Sequence, residues 1–168
     1  MMYTVIRDTR EQSGQGWVFD STAHCEGTTR RRLKTGDYSI VGLEADFTIE
    51  RKGSVSEFFG NVMEKRFERE LVRLNMMKYP YILLEFTQAD IDKFPVDSGI
   101  PPRLWESTAQ RYRWKNLDVG AKFIRRRIRE IQEKYPNIIL LLTGSEGHKI
   151  ADKIIREIYG KTKEELGN

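Results

Sequence analysis

The segment that most constrains the fold of this chain is residues 46–52, DFTIERK, which is typical of a β-strand. Because side chains alternate between the two faces of a strand, Glu50 and Lys52 project side by side from one face. Asp37 lies upstream, at a bend after Gly36 that leads into the neighbouring strand. The sequence therefore predicts that two acids and a lysine meet on a rigid element.

A pair of carboxylates with one lysine fits the metal-dependent hydrolysis of a phosphodiester. Carboxylate oxygens suit a hard cation such as Mg²⁺, which keeps several waters and takes only one or two carboxylates. The cation makes a bound water more acidic and stabilises the charge that builds on the phosphate oxygens. The lysine can hold the scissile phosphate or orient the attacking water. The competing interpretation is a strand whose charged side chains simply face water. If these three residues were the only signal, that interpretation would be the better one.

Length and composition indicate one globular domain. The 168 residues are 39% hydrophobic and 32% charged, which is enough chain and enough apolar content for a sizeable core. The net charge is +4, because 25 acidic residues offset 29 basic ones. This balance is compatible with binding to nucleic acid but does not require it.

Several protein classes are excluded by what the chain lacks. A single cysteine, Cys25, rules out a disulfide framework and fits a reducing compartment. Two histidines, His24 and His148, are too few for a histidine-rich zinc site. No apolar run approaches the length of a membrane span, and the first residues carry no secretory signal. We therefore expect an intracellular protein, in the cytoplasm or the nucleus, with no membrane association.

The apolar pattern predicts an α/β domain with a mixed sheet flanked by helices. Strands are predicted over residues 3–7, 28–33, 38–41, 47–52, 81–86 and 137–142. Helices are predicted from apolar stripes over residues 55–74, 119–131 and 150–158. Residues 17–19 fit either a strand or the start of a helix. Residues 87–117 form a long loop with several prolines, which is a candidate functional insertion.

The string GDYSIVGLEADFTIERK, residues 36–52, resembles the GDY–ERK signature of the nuclease domain of XPF-type (XPF/Hef) structure-specific DNA endonucleases. DTRE at residues 8–11 is similar to the early D-x-R-E of that family, and KRF at residues 65–67 to its G-R-aromatic step. YILLE at residues 81–85 is similar to the hydrophobic strand that follows. The resemblance implies a restriction-endonuclease-like sandwich. The nuclease domain is predicted to comprise residues 1–160, and the polar residues 161–168 to form a flexible tail.

The same resemblance assigns roles to residues of the predicted site. It implies that Asp37 and Glu50 are metal ligands, with the backbone carbonyl of Arg51 beside them. It places Lys52 at the phosphate or at the attacking water. It also implies that two further catalytic residues, Asp8 and Glu11, border the metal, although Asp8 equally fits the cap of a turn. The implied cofactor is Mg²⁺ or Mn²⁺, and the implied product carries a 5′-phosphate.

Three positions depart from the family pattern. The family usually has an aspartate a few residues after ERK, and here the nearest acid is Glu57, a possible accessory ligand. Lys65 replaces a glycine, and Glu70 stands where the family often has glutamine. Arg66 and Glu70 are four residues apart on a predicted helix. A surface ion pair and a phosphate contact by Arg66 are therefore both open interpretations.

Two clusters of basic residues are candidate DNA-binding elements. The first, Arg30, Arg31 and Arg32, precedes the catalytic bend and could instead be a solvated edge strand. The second interleaves basic and aromatic side chains within the insertion, a composition that suits unpaired bases and phosphates. Its basic members are Arg111, Arg113 and Lys115. Its tryptophans, Trp105 and Trp114, could stack on bases, but tryptophans in such a loop more commonly pin it to the core.

Taken together, the sequence predicts a metal-dependent endonuclease that cuts DNA at branched or junction structures. The alternatives are a catalytically silent DNA-binding scaffold, and an RNA- or DNA-end-processing nuclease on the same core. A homodimer is expected through residues 118–158, because two apolar helices lie there and relatives dimerise through this region. Because no tandem helix–hairpin–helix module follows in the sequence, a partner protein that supplies extra grip on DNA is also expected.

Overall fold

The computed structural model describes residues 2–11, 14–96 and 120–167. The strands are β1 (Tyr3–Arg7), β2 (Cys25–Arg30), β3 (Tyr38–Ile40), β4 (Phe47–Lys52), β5 (Tyr79–Leu84) and β6 (Ile139–Leu142). The helices are α1 (Val55–Val62), α2 (Lys65–Asn75), α3 (Gln88–Lys93), α4 (Ala121–Lys134) and α5 (Gly147–Gly167). A short 3₁₀ turn, Gly144–Glu146, precedes α5.

The six strands form one mixed sheet in the order β2-β1-β3-β4-β5-β6. Strand β3 is antiparallel to β1 and β4, whereas the pairs β1–β2, β4–β5 and β5–β6 are parallel. The predicted hairpin of β3 and β4 is confirmed, as is the α/β class with a mixed sheet. Strand β4 is therefore held on both edges, which fixes the backbone that carries Glu50 and Lys52.

Helices cover both faces of the sheet. Buried residues of α1 to α4 pack on one face, with Ile82 and Leu84 of β5. On the other face, α5 packs against Phe47 and Ile49 of β4 and against aromatic residues of the segment before β2. Since Phe47 and Ile49 face α5, the alternation of the strand turns Glu50 and Lys52 towards α1 and α2.

Some boundaries differ from those that the sequence predicts. The single stripe over residues 55–74 is divided between α1 and α2, because Glu64 adopts an extended conformation between them. Strand β2 ends at Arg30, since the N–H of Leu33 binds the Asp8 carboxylate instead of a neighbouring strand. Residues 17–19 belong to neither a strand nor a helix. Strand β6, predicted to be buried, is partly exposed, because it is the last strand of the sheet.

The end of the chain also differs from the prediction. Helix α5 continues to Gly167, so the residues predicted to form a flexible tail are helical as far as the structure describes them. Within this stretch Glu165 accepts hydrogen bonds from Lys78 Nζ, at 2.6 Å, and from the Tyr79 hydroxyl, at 3.0 Å. These contacts join the end of α5 to the start of β5. No helix in the described part of the chain combines the length and the apolar character needed to span a membrane.

Candidate active site

Asp37 is positioned by a tight bend and by its own backbone. The preceding residue, Gly36, has a φ of +79°, and an added Cβ would lie 2.0 Å from the Thr48 hydroxyl oxygen, so only glycine fits. The Asp37 N–H donates to the Ile49 carbonyl at 2.9 Å, and its carbonyl accepts from the Asp8 N–H at 2.7 Å. The Asp37 backbone is therefore bonded both to β4 and to the end of β1, and these two bonds fix the direction of its side chain.

The central pair of the site is Glu50 and Lys52 on β4. Both are buried, at 4% and 5% exposure, and Lys52 Nζ donates to Glu50 Oε1 at 2.5 Å. The same Nζ lies 5.0 Å from the centre of the Phe67 ring on α2. Beside them, Asp37 Oδ2 accepts from the Arg51 N–H at 2.7 Å. The structure thus brings together the two acids and the lysine that the sequence predicts to meet.

These three side chains open into a cleft of about 260 Å³ between the sheet and helices α1 and α2. Its acidic residues are Glu11, Asp37, Glu50, Glu57 and Glu70, its basic residues are Arg10, Arg51, Lys52 and Arg66, and Gln15 and Asn61 add neutral polar groups. Most of its lining surface is polar, unlike that of a pocket for an apolar ligand. The cleft therefore suits charged chemistry.

Burial and mutual repulsion raise the pKa values of the two central acids. Burial raises the pKa of Asp37 to about 7, and the charge of Glu11 adds to this effect. Burial and then the charge of Asp37 hold the pKa of Glu50 well above its ordinary value. Burial acts to lower the pKa of Lys52, but the charges of Glu50 and Asp37 outweigh it, and its pKa is raised. The site therefore favours additional positive charge.

The donor set of the site fits a hard divalent cation. Within residues 2–11, 14–96 and 120–167, no three His, Cys, Asp or Glu side chains converge closely enough to hold a metal by themselves. The carboxylates of half-buried Asp37 and buried Glu50 do repel each other, and a cation between them would relieve that repulsion. Such a pair matches Mg²⁺, which is commonly held by one or two carboxylates and several waters. The ligand role of the Arg51 carbonyl stays a prediction.

A half-buried ion network surrounds the side chain of Arg51 on β4. Arg51 Nε donates to Glu85 Oε2 at 2.5 Å and Arg51 Nη1 to Glu11 Oε1 at 3.2 Å, while the guanidinium lies 5.3 Å from the centre of the Trp17 ring. The Trp17 indole N–H donates to the other oxygen of Glu85 at 3.2 Å. An added Cβ at Gly147, the first residue of α5, would lie 2.7 Å from Glu85 Cγ. The contacts of its side chain thus fix the position of Arg51, while its backbone N–H donates to the Asp37 carboxylate.

Sequence reasoning placed Glu11 at the site but missed Glu85 and Trp17. Burial raises the pKa of Glu11, although the charge of Arg51 opposes the shift. Glu85 could have been found from the pairing of β4 with β5, because Lys52 aligns with Leu84 and Glu85 is the next residue. No comparable signal identifies Trp17, which lies in an irregular segment.

Asp8 lies next to the site, but its carboxylate is occupied elsewhere. Oδ2 accepts from the Leu33 N–H at 2.5 Å, and Oδ1 accepts from Arg10 N at 2.8 Å and Arg10 Nε at 2.7 Å. Burial acts to raise its pKa, but the bonds from Arg10 and Leu33 outweigh it, and its pKa is lowered. The geometry matches the turn-cap interpretation, and the cleft is lined by Arg10 in place of Asp8. A catalytic role for Asp8 stays a prediction.

The accessory residues predicted on α1 and α2 do reach the cleft. Glu57 lines it, yet Glu57 Oε2 also accepts from the Gly53 N–H at 2.7 Å. No ion pair joins Arg66 to Glu70 in the described part of the chain, so the surface-pair interpretation has no support. Asn61, which was not predicted, lies one helical turn after Glu57, a spacing that could have indicated it.

The predicted DNA-binding residues divide into two groups. Arg30, Arg31 and Arg32 are exposed, and Arg31 forms an ion pair with Glu44. They precede Leu33, whose carbonyl accepts from Arg10 Nη2 at 2.8 Å, and Arg10 lines the cleft. We call Arg30, Arg31 and Arg32 the basic rim. The second group lies outside the described residues, as do the tryptophans of the insertion: Arg111, Arg113, Lys115, Trp105 and Trp114.

The fold and the cleft together define an α/β domain with a paired-carboxylate site of the kind found in nucleases. The sequence profile of the ERCC4 domain matches residues 7–97, which is more than half of the chain. The chain belongs to the ERCC4 domain family, as its resemblance to XPF-type nucleases predicts. Membership of this family supports a role as a nuclease in DNA processing.

Solved structures agree in fold. XPF from Aeropyrum pernix is 18% identical with a TM-score of 0.55, and the match covers 91% of this chain and 60% of that one. XPF from Aeropyrum pernix in complex with DNA is 16% identical with a TM-score of 0.56, covering 95% of this chain and 66% of that one. This chain therefore spans less than two thirds of either protein. No curated protein matches the sequence.

Proposed function

We propose that this protein is a divalent-metal-dependent DNA endonuclease that hydrolyses phosphodiester bonds at branched or junction DNA. The observation that carries the proposal is the cleft in which Asp37 and Glu50, two mutually repelling carboxylates, lie beside Lys52. The family and the likeness in fold to an XPF bound to DNA support the choice of substrate. The identity of the metal, Mg²⁺ or Mn²⁺, and the preference for junctions are both part of this proposal.

Each central residue has a defined task in this mechanism. Asp37 and Glu50 would hold Mg²⁺ or Mn²⁺, which would supply a more acidic water and neutralise phosphate charge. Lys52 stays protonated because of its two acidic neighbours, so its ammonium can stabilise the charge that develops on the scissile phosphate. Arg51 keeps the Asp37 carboxylate in place through its N–H. Arg66, which makes no ion pair in the described part of the chain, is available for a neighbouring phosphate.

The alternatives differ in what they predict for the cleft. A catalytically silent scaffold gains nothing from two repelling acids and a lysine held together in a largely desolvated cleft, because such an arrangement costs stability. The retained residues therefore favour an enzyme. A nuclease for RNA or for DNA ends would use the same cleft, and only the substrate distinguishes it.

The test is a cleavage panel of end-labelled flap, fork, duplex and single-stranded DNA, with a matched RNA fork, in the presence of Mg²⁺ or EDTA. We expect cutting of flap or fork DNA, dependent on the metal and faster than cutting of duplex. Binding to branched DNA without cleavage by any metal would establish the scaffold. Preferential cutting of RNA would establish the ribonuclease alternative.

Neutralising the basic rim should weaken the salt dependence of DNA binding. In a triple variant with alanine at Arg30, Arg31 and Arg32, we expect lower affinity and a shallower fall of affinity with salt, because fewer counterions are released. For duplex DNA each lost phosphate contact reduces the slope of log K against log salt by about 0.9. We expect the slope to change by less than the value for three contacts, because Arg31 is already paired with Glu44.

The control for this measurement is a triple alanine variant at Lys153, Lys161 and Lys163 on α5, which removes the same charge from outside the cleft and its rim. Its salt slope, measured by fluorescence anisotropy, should equal that of the unmodified protein. Equal slopes for all three proteins would mean that residues 30–32 form only a solvated edge.

We propose a homodimer that uses the edge of the sheet at β6. The apolar residues that motivate this prediction on α4, Phe123 and Ile124, are buried in the core and offer no surface. Strand β6 instead ends the sheet with Ile139 at 43% exposure, and Asn137 just before it bonds to the loop that carries Met76, at 82% exposure. We expect a dimer in sedimentation at high micromolar concentration, weakened by Ile139→Asp.

A matched control is Val41→Asp, because Val41 is also about half exposed but lies in the turn between β3 and β4. That variant should sediment like the unmodified protein. A monomer at high micromolar concentration, both with and without DNA, would refute the dimer.

A further inference from the structure

Glu70 is a further carboxylate of the cleft. It lies on α2, is half-buried, and lines the same cleft as Asp37, Glu50 and Lys52. Within the described residues its side chain makes neither a hydrogen bond nor an ion pair. Arg66 is one helical turn earlier and lines the cleft too, but it does not pair with Glu70.

The charge of Glu70 reaches the centre of the site. It contributes to the raised pKa values of Asp37 and Glu50, and to that of Lys52. An unpaired acid facing two others costs folding free energy, because the three negative charges repel one another across a partly desolvated space. The cations of the same cleft oppose this repulsion in part, since the charge of Glu70 also raises the pKa of Arg10. A neutral glutamine would have the same shape without the repulsion, but only the acid would gain from a bound cation.

We propose that Glu70 is a third acidic residue of the metal site, which strengthens the binding of the divalent cation from the opposite wall of the cleft through the water shell of the cation. This inference rests on the proposed metal dependence and adds a residue, Glu70, that increases the affinity of the site for the cation. Indirect contact agrees with the absence of any three-residue ligand cluster in the described ranges. Mg²⁺ and Mn²⁺ commonly keep several waters, through which a more distant carboxylate can act.

The test is Mn²⁺ binding by isothermal titration calorimetry on DNA-free protein. We expect Glu70→Gln to raise the dissociation constant roughly tenfold, because one negative charge facing a dication across a partly wet cleft is worth about that factor. Glu70→Asp keeps the charge and should keep most of the affinity. Glu64→Gln is the matched control, because Glu64 is an exposed acid beside the same helix that makes no cap bond and does not line the cleft.

Thermal unfolding supplies the second readout. Without metal, Glu70→Gln should melt at the same temperature as the unmodified protein or higher, whereas a merely structural role for Glu70 would lower the melting temperature. Saturating Mn²⁺ should raise the melting temperature of the unmodified protein more than that of the variant.

The outcomes separate the two proposals. If the unmodified protein binds Mn²⁺ and Glu70→Gln binds within twofold of it, the role of Glu70 is wrong and the metal site stands. If Glu64→Gln loses as much affinity as Glu70→Gln, the effect is one of overall charge and the specific role is likewise overturned. If the unmodified protein binds no Mn²⁺, both the metal dependence and the role of Glu70 fail.

Discussion

Replacing Asp37 with asparagine, or Glu50 with glutamine, is expected to abolish DNA cleavage. Each change preserves shape and removes one of the two charges that would hold the cation, so the metal and its activated water are lost together. We expect the single-turnover rate on flap DNA to fall by roughly a thousandfold or more, which is the size of effect seen when a central catalytic group is removed. DNA affinity in EDTA should change little.

The fold of these variants is checked by their stability without metal, for which the direction follows from the pKa of Asp37. Its folded value of about 7 lies above its ordinary value of 3.8, so the folded state binds a proton more tightly than the unfolded state. The contribution of Asp37 to the stability of the metal-free protein therefore falls as pH rises from about 4 to about 7, and it stays low above that range. Asp37→Asn removes this loss and should melt no lower than the unmodified protein at pH 8.

The matched control for this first prediction is Asp46→Asn. Asp46 lies just before β4 in a turn and is exposed, so its loss removes an acid near the same strand but outside the cleft. Cleavage by this control should match that of the unmodified protein. Full activity of Asp37→Asn or Glu50→Gln, or of the unmodified protein in excess EDTA, would contradict the assignment of the site.

Replacing Lys52 with alanine is expected to slow the chemical step far more than it weakens DNA binding. The ammonium is buried against Glu50 and Phe67, where it is poorly placed to attract DNA from a distance but well placed to meet charge at the scissile phosphate. Losing one such contact in the transition state costs about two to three orders of magnitude in rate. Single-turnover cleavage and equilibrium binding on the same flap substrate measure the two effects separately.

Two comparisons make the Lys52 result interpretable. Lys65→Ala removes an exposed lysine at the start of α2, outside the cleft, and should leave the rate unchanged. Because Lys52→Ala leaves Glu50 buried without its partner, its melting temperature is measured first, and the rate is compared at a temperature where both proteins are folded. If binding weakens and the single-turnover rate does not, Lys52 serves binding and not chemistry.

The parts of the site that lie close together in sequence are those that the sequence predicts. Alternation along one strand is enough to put Glu50 beside Lys52, and the turn after β3 returns the chain so that Asp37 meets the same strand. The mixed sheet follows from the order of apolar strands and helices. These predictions succeed because they depend only on local geometry and on one hairpin.

The parts that depend on distant contacts could not be predicted in the same way. Asp8 and Arg10 share one short motif, yet the structure commits the Asp8 carboxylate to Leu33 and brings the Arg10 side chain to the cleft. The last residues include good helix formers, but their polar character equally fits a frayed end, and the contacts of Glu165 with Lys78 and Tyr79 hold the helical form against the sheet. In each case a partner far away in sequence decides between two locally acceptable arrangements.

The contact of Gly147 with Glu85 has a consequence for how this sequence can vary. A methyl group at residue 147 would press on Glu85 and also lie 2.9 Å from the Trp17 ring, the two groups that brace Arg51 behind the catalytic strand. The residue type allowed at position 147, the first residue of α5, is therefore limited by the side chains that hold Arg51 of β4. A larger residue at Gly147 would therefore disturb the packing behind β4, although Gly147 itself lies outside the cleft.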